Sequence, residues 1–149
     1  DKTKGEMVTA CANGALLKRL TPTSLSCAAP TKGRWQGLGT QHCGYCLPCI
    51  IRRAALHAGL GIPDPTRYRI RDLRATVLDT RRSEGEQVRS LQIGIDRLHR
   101  HPEIARQLIY KPGPLRDETP DRVVALGDVY RRGMEEVRAF LPRVRASPR

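Results

Sequence analysis

A chain of 149 residues with 39% apolar but only 4% aromatic side chains has material for one modest domain, whose core must be built mainly from Leu, Ile, Val and Ala. Its formal charge of +12, with only five lysines among 27 basic residues, suits an anionic partner such as a nucleotide, a nucleic acid or an acidic protein face, although the arginine usage of a GC-rich genome would leave the same balance. No apolar run approaches the roughly twenty residues that cross a bilayer, and no export signal is visible; both point to the cytoplasm, with the true start of the polypeptide expected upstream of Asp1.

Thr3-Lys4-Gly5-Glu6 reads as a capping box, the Thr3 hydroxyl meeting an amide near Glu6 while the Glu6 carboxylate reaches back. A helix should follow, with Met7, Val8 and Cys11 as its apolar stripe, Cys11 as a small buried hydrophobe, and Asn13-Gly14 as the stop. Ala15 to Leu20 continues helically until Thr21-Pro22-Thr23-Ser24 breaks it.

Four of the five cysteines come next: Cys27, fifteen intervening residues, then Cys43, Cys46 and Cys49 with two residues in each gap. A two-residue gap folds into a knuckle whose amides face the sulfurs, so the triplet can supply three thiolates to one tetrahedral zinc ion and Cys27 the fourth. Gly44 supplies the backbone freedom the knuckle turn needs, and Pro48 suits the first turn of the helix that Ile50, Ile51, Ala54, Ala55 and Ala58 then mark out. Four thiolates and one zinc ion carry a net charge of about −2, which the helix amino end with Arg52 and Arg53 is placed to offset. Disulfides, a Cys43–Cys46 redox pair and an iron–sulfur cluster compete with structural zinc, and spacing alone does not separate the last of these from zinc.

The loop between Cys27 and Cys43 holds the only tryptophan beside an arginine, so Arg34 and Trp35 can stack on a base or ring; a lid over the metal or a subunit contact is the plainer reading of Trp35. His42 is expected beside the metal rather than on it. Together with Lys4, Arg52 and Arg53, this pair makes up the expected substrate or partner contacts.

Beyond a turn-rich junction at Ala58–Pro65, Tyr68 to Arg82 reads as a helix on Ile70, Leu73, Val77 and Leu78. A clearer stripe, Val88, Leu91, Ile95 and Leu98, marks a helix from about Glu84 to Arg100, and Pro102 opens a short one to Tyr110. After the break at Lys111–Pro114, Thr119-Pro120-Asp121 starts a long last helix with Val123, Leu126, Tyr130, Val137 and Leu141 on one face and a charged, solvated face opposite; the residues after Pro142 read as a frayed basic tail.

Thr3-Lys4-Gly5-Glu6-Met7-Val8, Leu25-Ser26-Cys27, and Cys43-Gly44-Tyr45-Cys46-Leu47-Pro48-Cys49 followed by Arg52-Arg53 together resemble the carboxy-terminal part of the 7-cyano-7-deazaguanine synthases, most of all the synthase-like component of Qat anti-phage defence systems. The likeness covers about residues 2–58. The helical stripes make the chain mostly α with a zinc-knuckle loop, and the resemblance implies that it stands as the carboxy-terminal portion of an ATP-pyrophosphatase-like (PP-loop, Rossmann-like) α/β enzyme. Residues 1–62 would be the zinc-bearing segment and 63–149 a basic helical extension.

The same resemblance implies an ATP-dependent C–N ligase that activates a deazapurine carboxylate and converts it with ammonia to the nitrile, with Cys27, Cys43, Cys46 and Cys49 as zinc ligands. The fifteen-residue gap after Cys27 is longer than the family's usual one, which allows a different substrate or acceptor. Family members grip ATP with a Ser-Gly-Gly-x-Asp-Ser loop that these residues do not contain, so ATP binding would need an upstream segment or subunit, and protein partners of a defence system would follow. The rival reading is a stand-alone zinc module that binds nucleic acid through its basic surface.

Overall fold

The computed structural model describes all of residues 1–149. The chain is mostly helical, with a small two-stranded sheet. α1 (Lys4–Thr9) opens on the expected capping box, in which Thr3 Oγ1 accepts from the Glu6 amide at 3.1 Å and the Thr3 amide donates to the Glu6 carboxylate at 2.8 Å. α2 (Gly14–Leu20) is capped by Asn13, whose side chain accepts from the Leu16 amide. α3 (Leu47–Gly59) starts directly after Cys46 with Pro48 in its first turn.

α3 is the central element, burying Cys49, Ile50, Ala54, Ala55 and Leu56. α1 crosses its end closely. A side chain at Gly59 would put its Cβ 2.6 Å from a Val8 methyl, so the absence of one there sets how near the two helices come.

The stripe over 84–100 forms α4 (Ser83–Arg100), burying Val88, Ile95 and Leu98. Pro102–Ile104 is a 3₁₀ turn leading into α5 (Ala105–Leu108), shorter than the helix expected to Tyr110. α6 (Pro120–Phe140) is capped by Thr119 and buries Val137, with Leu141 beyond its end also buried. One core joins Cys43, Tyr45, Cys46, Cys49, Ile50 and Ala54 to Leu73, Leu78, Val88, Ile95, Val137, Leu141 and Val144. The helical extension is therefore packed on the cysteine-bearing segment through shared apolar contacts.

Four expectations are corrected. Tyr68 to Arg82 is not a helix: it is a run of turns ending in β1 (Leu78–Asp79). Its backbone groups find tertiary partners instead, the Arg69 and Ile70 amides donating to the carbonyls of His42 and Cys43 at 2.8 and 3.1 Å, while Leu73 and Leu78 anchor it in the core. The residues after Pro142 are not frayed. Val144 is buried and Ala146–Ser147 (β2) pairs in parallel with β1, with the Leu78 amide donating to the Arg145 carbonyl at 2.9 Å.

The polar face of α6 is not wholly solvated either. Glu136 accepts from the Thr3 hydroxyl and, at 3.1 Å, from the Gly5 amide, and Arg132 pairs with Glu6 at 2.8 Å; that guanidinium holds the Glu6 carboxyl below the usual range. Cys11, finally, is exposed, because the apolar stripe of α1 faces an open cleft and not the core.

Candidate metal centre

Two separate parts of the chain deliver the four sulfurs. The knuckle Cys43-Gly44-Tyr45-Cys46 turns at Gly44, whose φ of 92° is a left-handed conformation and whose missing side chain lets the Ile70 carbonyl come within 2.6 Å of where a Cβ would lie. Cys49 follows one helical turn into α3. Cys27 arrives from the loop and is held by its own environment: its Sγ accepts from the amides of Ala29 at 3.4 Å and Cys43 at 3.3 Å.

The four Sγ atoms lie within 4.8 Å of one another, with Cys27–Cys46 and Cys43–Cys49 each 3.9 Å apart. A regular tetrahedron of sulfurs at zinc–thiolate distance has edges of about 3.8 Å. The donor set therefore fits a single four-coordinate ion, and no disulfide links any of the cysteines. All four positions of such an ion are filled by the protein, which leaves none for substrate or water.

The protonation chemistry agrees. Four thiols this close cannot all ionise beside one another: the hydrogen bond with Cys49 holds Cys43 well below the usual thiol range, the same contact pushes Cys49 up, and burial raises Cys46. A cation at their centre resolves that conflict by favouring the thiolate at every position. Amide donors add to it, with the Cys46 amide 3.3 Å from the Cys43 Sγ and the amino end of α3 beginning at the next residue.

His42 occupies the place expected of it. Its Nδ1 is 3.6 Å from the Cys49 Sγ, and its Nε2 is 3.1 Å from the Ser24 carbonyl, so the ring ties one cysteine to the loop that carries another.

The five other expected contacts do not converge. Arg53 is turned inward and its guanidinium donates to the carbonyls of Gly44, Ile70 and Arg71 while lying 4.4 Å from the Tyr68 ring and 5.2 Å from Phe140. Arg52 donates to the Ser24 hydroxyl at 2.9 Å, the Thr66 hydroxyl at 3.2 Å and the Thr21 carbonyl, with its Nε buried and unpaired. Lys4 and Arg52 line one cleft, between α1, α2 and α3. Arg34 and Trp35 sit elsewhere, on an exposed 3₁₀ turn with the guanidinium 5.3 Å from the indole centroid and Trp35 88% exposed.

Asp64 and Tyr68 were not among the expected site residues. The Asp64 carboxylate accepts from the Thr66 amide at 2.9 Å and the Tyr68 hydroxyl at 2.6 Å, fixing the strand-like passage beside the knuckle; burial and this bond push the Tyr68 phenol up. The signal for the turn was present as Asp64-Pro65-Thr66, an acid that can cap its own following amide. Comparison of the chain with protein-family models, with curated proteins and with solved structures returned no match, so the functional reading rests on the geometry of the site and on the sequence likeness.

Proposed function

We propose that these residues are the zinc-bearing part of a 7-cyano-7-deazaguanine synthase-like, ATP-dependent enzyme, working in an anti-phage defence setting and helping to shape the pocket for a deazapurine carboxylate. The single observation that supports it most is the approach of Cys27 to the Cys43-Cys46-Cys49 triplet at zinc–thiolate spacing, in the chain order that the resemblance requires. Zinc here is a structural brace. It would fix the Cys27 loop and the start of α3, while the adenylating chemistry belongs to a nucleotide-binding segment or subunit that carries the Ser-Gly-Gly-x-Asp-Ser loop.

Two measurements test this reading. Elemental analysis should return about one zinc and no iron per chain. ATP turnover with a deazapurine carboxylate should appear only when a polypeptide bearing the Ser-Gly-Gly-x-Asp-Ser segment is supplied; turnover indifferent to its removal would reject the assignment.

A nucleic-acid module is the second reading, and the exposed Arg34–Trp35 pair favours it. It requires single-stranded DNA or RNA affinity that falls steeply with salt and drops on Trp35→Ala. Absence of binding at low salt ends that reading.

A further inference from the structure

A cleft with a volume of about 670 Å³ lies between α1, α2 and α3. Its walls are the apolar stripes of three helices: Met7 and Val8 from α1, Leu17 and Leu20 from α2, Leu47 and Ile51 from α3. Lining residues on α3 recur from Leu47 to Leu56, so the floor runs for about 13 Å along that helix at the ordinary rise per residue. Amphipathic helices normally bury such stripes against their own domain. α1 and α2 turn theirs toward an open groove, and α3, whose main apolar face lies in the core, lends it a second one with Leu47 and Ile51.

A small molecule fits the volume but not the distribution of apolar surface. Small-ligand sites enclose most of the ligand's surface within an apolar lining that carries a few placed polar groups. Here the apolar side chains stand at the rim: Met7 is 61% exposed, Leu20 48% and Leu47 46%, and Leu25, between two lining serines, is 50% exposed. A ligand filling the cleft would leave that rim wet. A helix laid along α3 would cover it, since side chains at three- and four-residue spacing interdigitate with the ridges on either wall.

Charge decides what kind of helix. The only charged residues lining the cleft are Lys4 and Arg52, both cationic. No Asp or Glu occurs between Glu6 and Asp64, and Glu6 itself is already paired with Arg132. The cleft therefore has an apolar floor, a cationic border and no free carboxylate nearby, which is the complement of an apolar stripe flanked by acids.

We propose that the cleft between α1, α2 and α3 is a docking groove for an amphipathic helix of a partner whose apolar stripe is bordered by Glu or Asp. Occupancy of the groove is separable from the metal site, because Lys4, Met7, Leu20 and Leu47 bind no metal and zinc content does not report on them.

The test uses the full chain and two designed, fluorescein-labelled 18-residue peptides with the same leucine stripe, one flanked by glutamates and one by lysines, read by fluorescence anisotropy. The glutamate peptide should bind at least tenfold more tightly than the lysine peptide. Met7→Glu combined with Leu47→Glu should weaken it at least tenfold, while Ile93→Glu, at a 54% exposed apolar position of α4, should leave it unchanged. Equal affinity for the two peptides, binding of neither, or indifference to the double substitution overturns the proposal. So does self-association of the chain that the same double substitution abolishes, which would give the groove to a second copy. If the double variant fails to fold by circular dichroism, the comparison of the two peptides on the unaltered chain still decides.

Discussion

Arg53 shows how far a single side chain can be committed. Its guanidinium serves three backbone carbonyls, two of them in the 70–71 passage and one in the knuckle, and it lies over two aromatic rings, those of Tyr68 and Phe140. Burial lowers its pKa and no carboxylate touches it; Asp64 and Asp72 favour its charge from a distance, and the direct contacts are the carbonyls and ring faces. Arg53→Lys should therefore cost about 2–4 kcal/mol, because an ammonium is a compact point charge that cannot reproduce the fork's bonds to three carbonyls or its stacking on ring faces. Urea unfolding of the two proteins measures it, and a loss under about 1 kcal/mol would mean that the rings and carbonyls are satisfied without the fork. The sequence displayed the cysteines by their spacing alone, since a metal's geometry is written directly into intervals of two residues. It could not display the role of Arg53, which depends on carbonyls distant in the chain.

At the scale of elements, legibility followed periodicity. α4 and α6 were readable because each carries its own apolar stripe and, for α6, a capping residue with Pro120 behind it. The passage from Tyr68 to β1 misled because Ile70, Leu73, Val77 and Leu78 fall at helical intervals by coincidence, while the bonds that fix it come from α3, the knuckle and the carboxy-terminal strand. The tail misled for the same reason: a two-residue strand has no pattern of its own. Its anchor is Val144, 6% exposed, whose carbonyl accepts from the Gln92 side chain at 2.9 Å. Val144→Asp should destabilise the protein by about 3 kcal/mol or more, through lost apolar burial and an unpaired buried carboxylate. It should also release β1, so that protease cleavage after Arg74, Arg81 and Arg82 accelerates well before global unfolding. A tail that merely frays would give wild-type stability and an unchanged cleavage pattern.

For the whole molecule, the position of the cysteine cluster decides how far a metal held there would act. Cys43, Cys46 and Cys49 belong to the same apolar core as Leu73, Val88, Val137, Leu141 and Val144, so the cysteine cluster forms one wall of that core. Only Cys27, half-buried at the end of its loop, stands partly outside it. If the cluster holds a metal, its loss should leave three buried sulfurs with conflicting protonation states and free the Cys27 loop, and the cost should spread through the core that Cys49 and Ile50 share with Val88, Ile95 and Val137. Removing the metal with a strong chelator at neutral pH should therefore lower Tm by about 10 °C or more and should be reversed by zinc. Hydrogen exchange locates the effect. Amides at Val88, Val137 and Val144 should lose protection along with those of the knuckle, and Cys27→Ser, which removes the outer ligand while leaving the three core sulfurs in place, should reproduce the knuckle's loss more strongly than the distant one. Should the α4 and α6 amides keep full protection after chelation, the metal would brace the loop alone, and the core would hold without it.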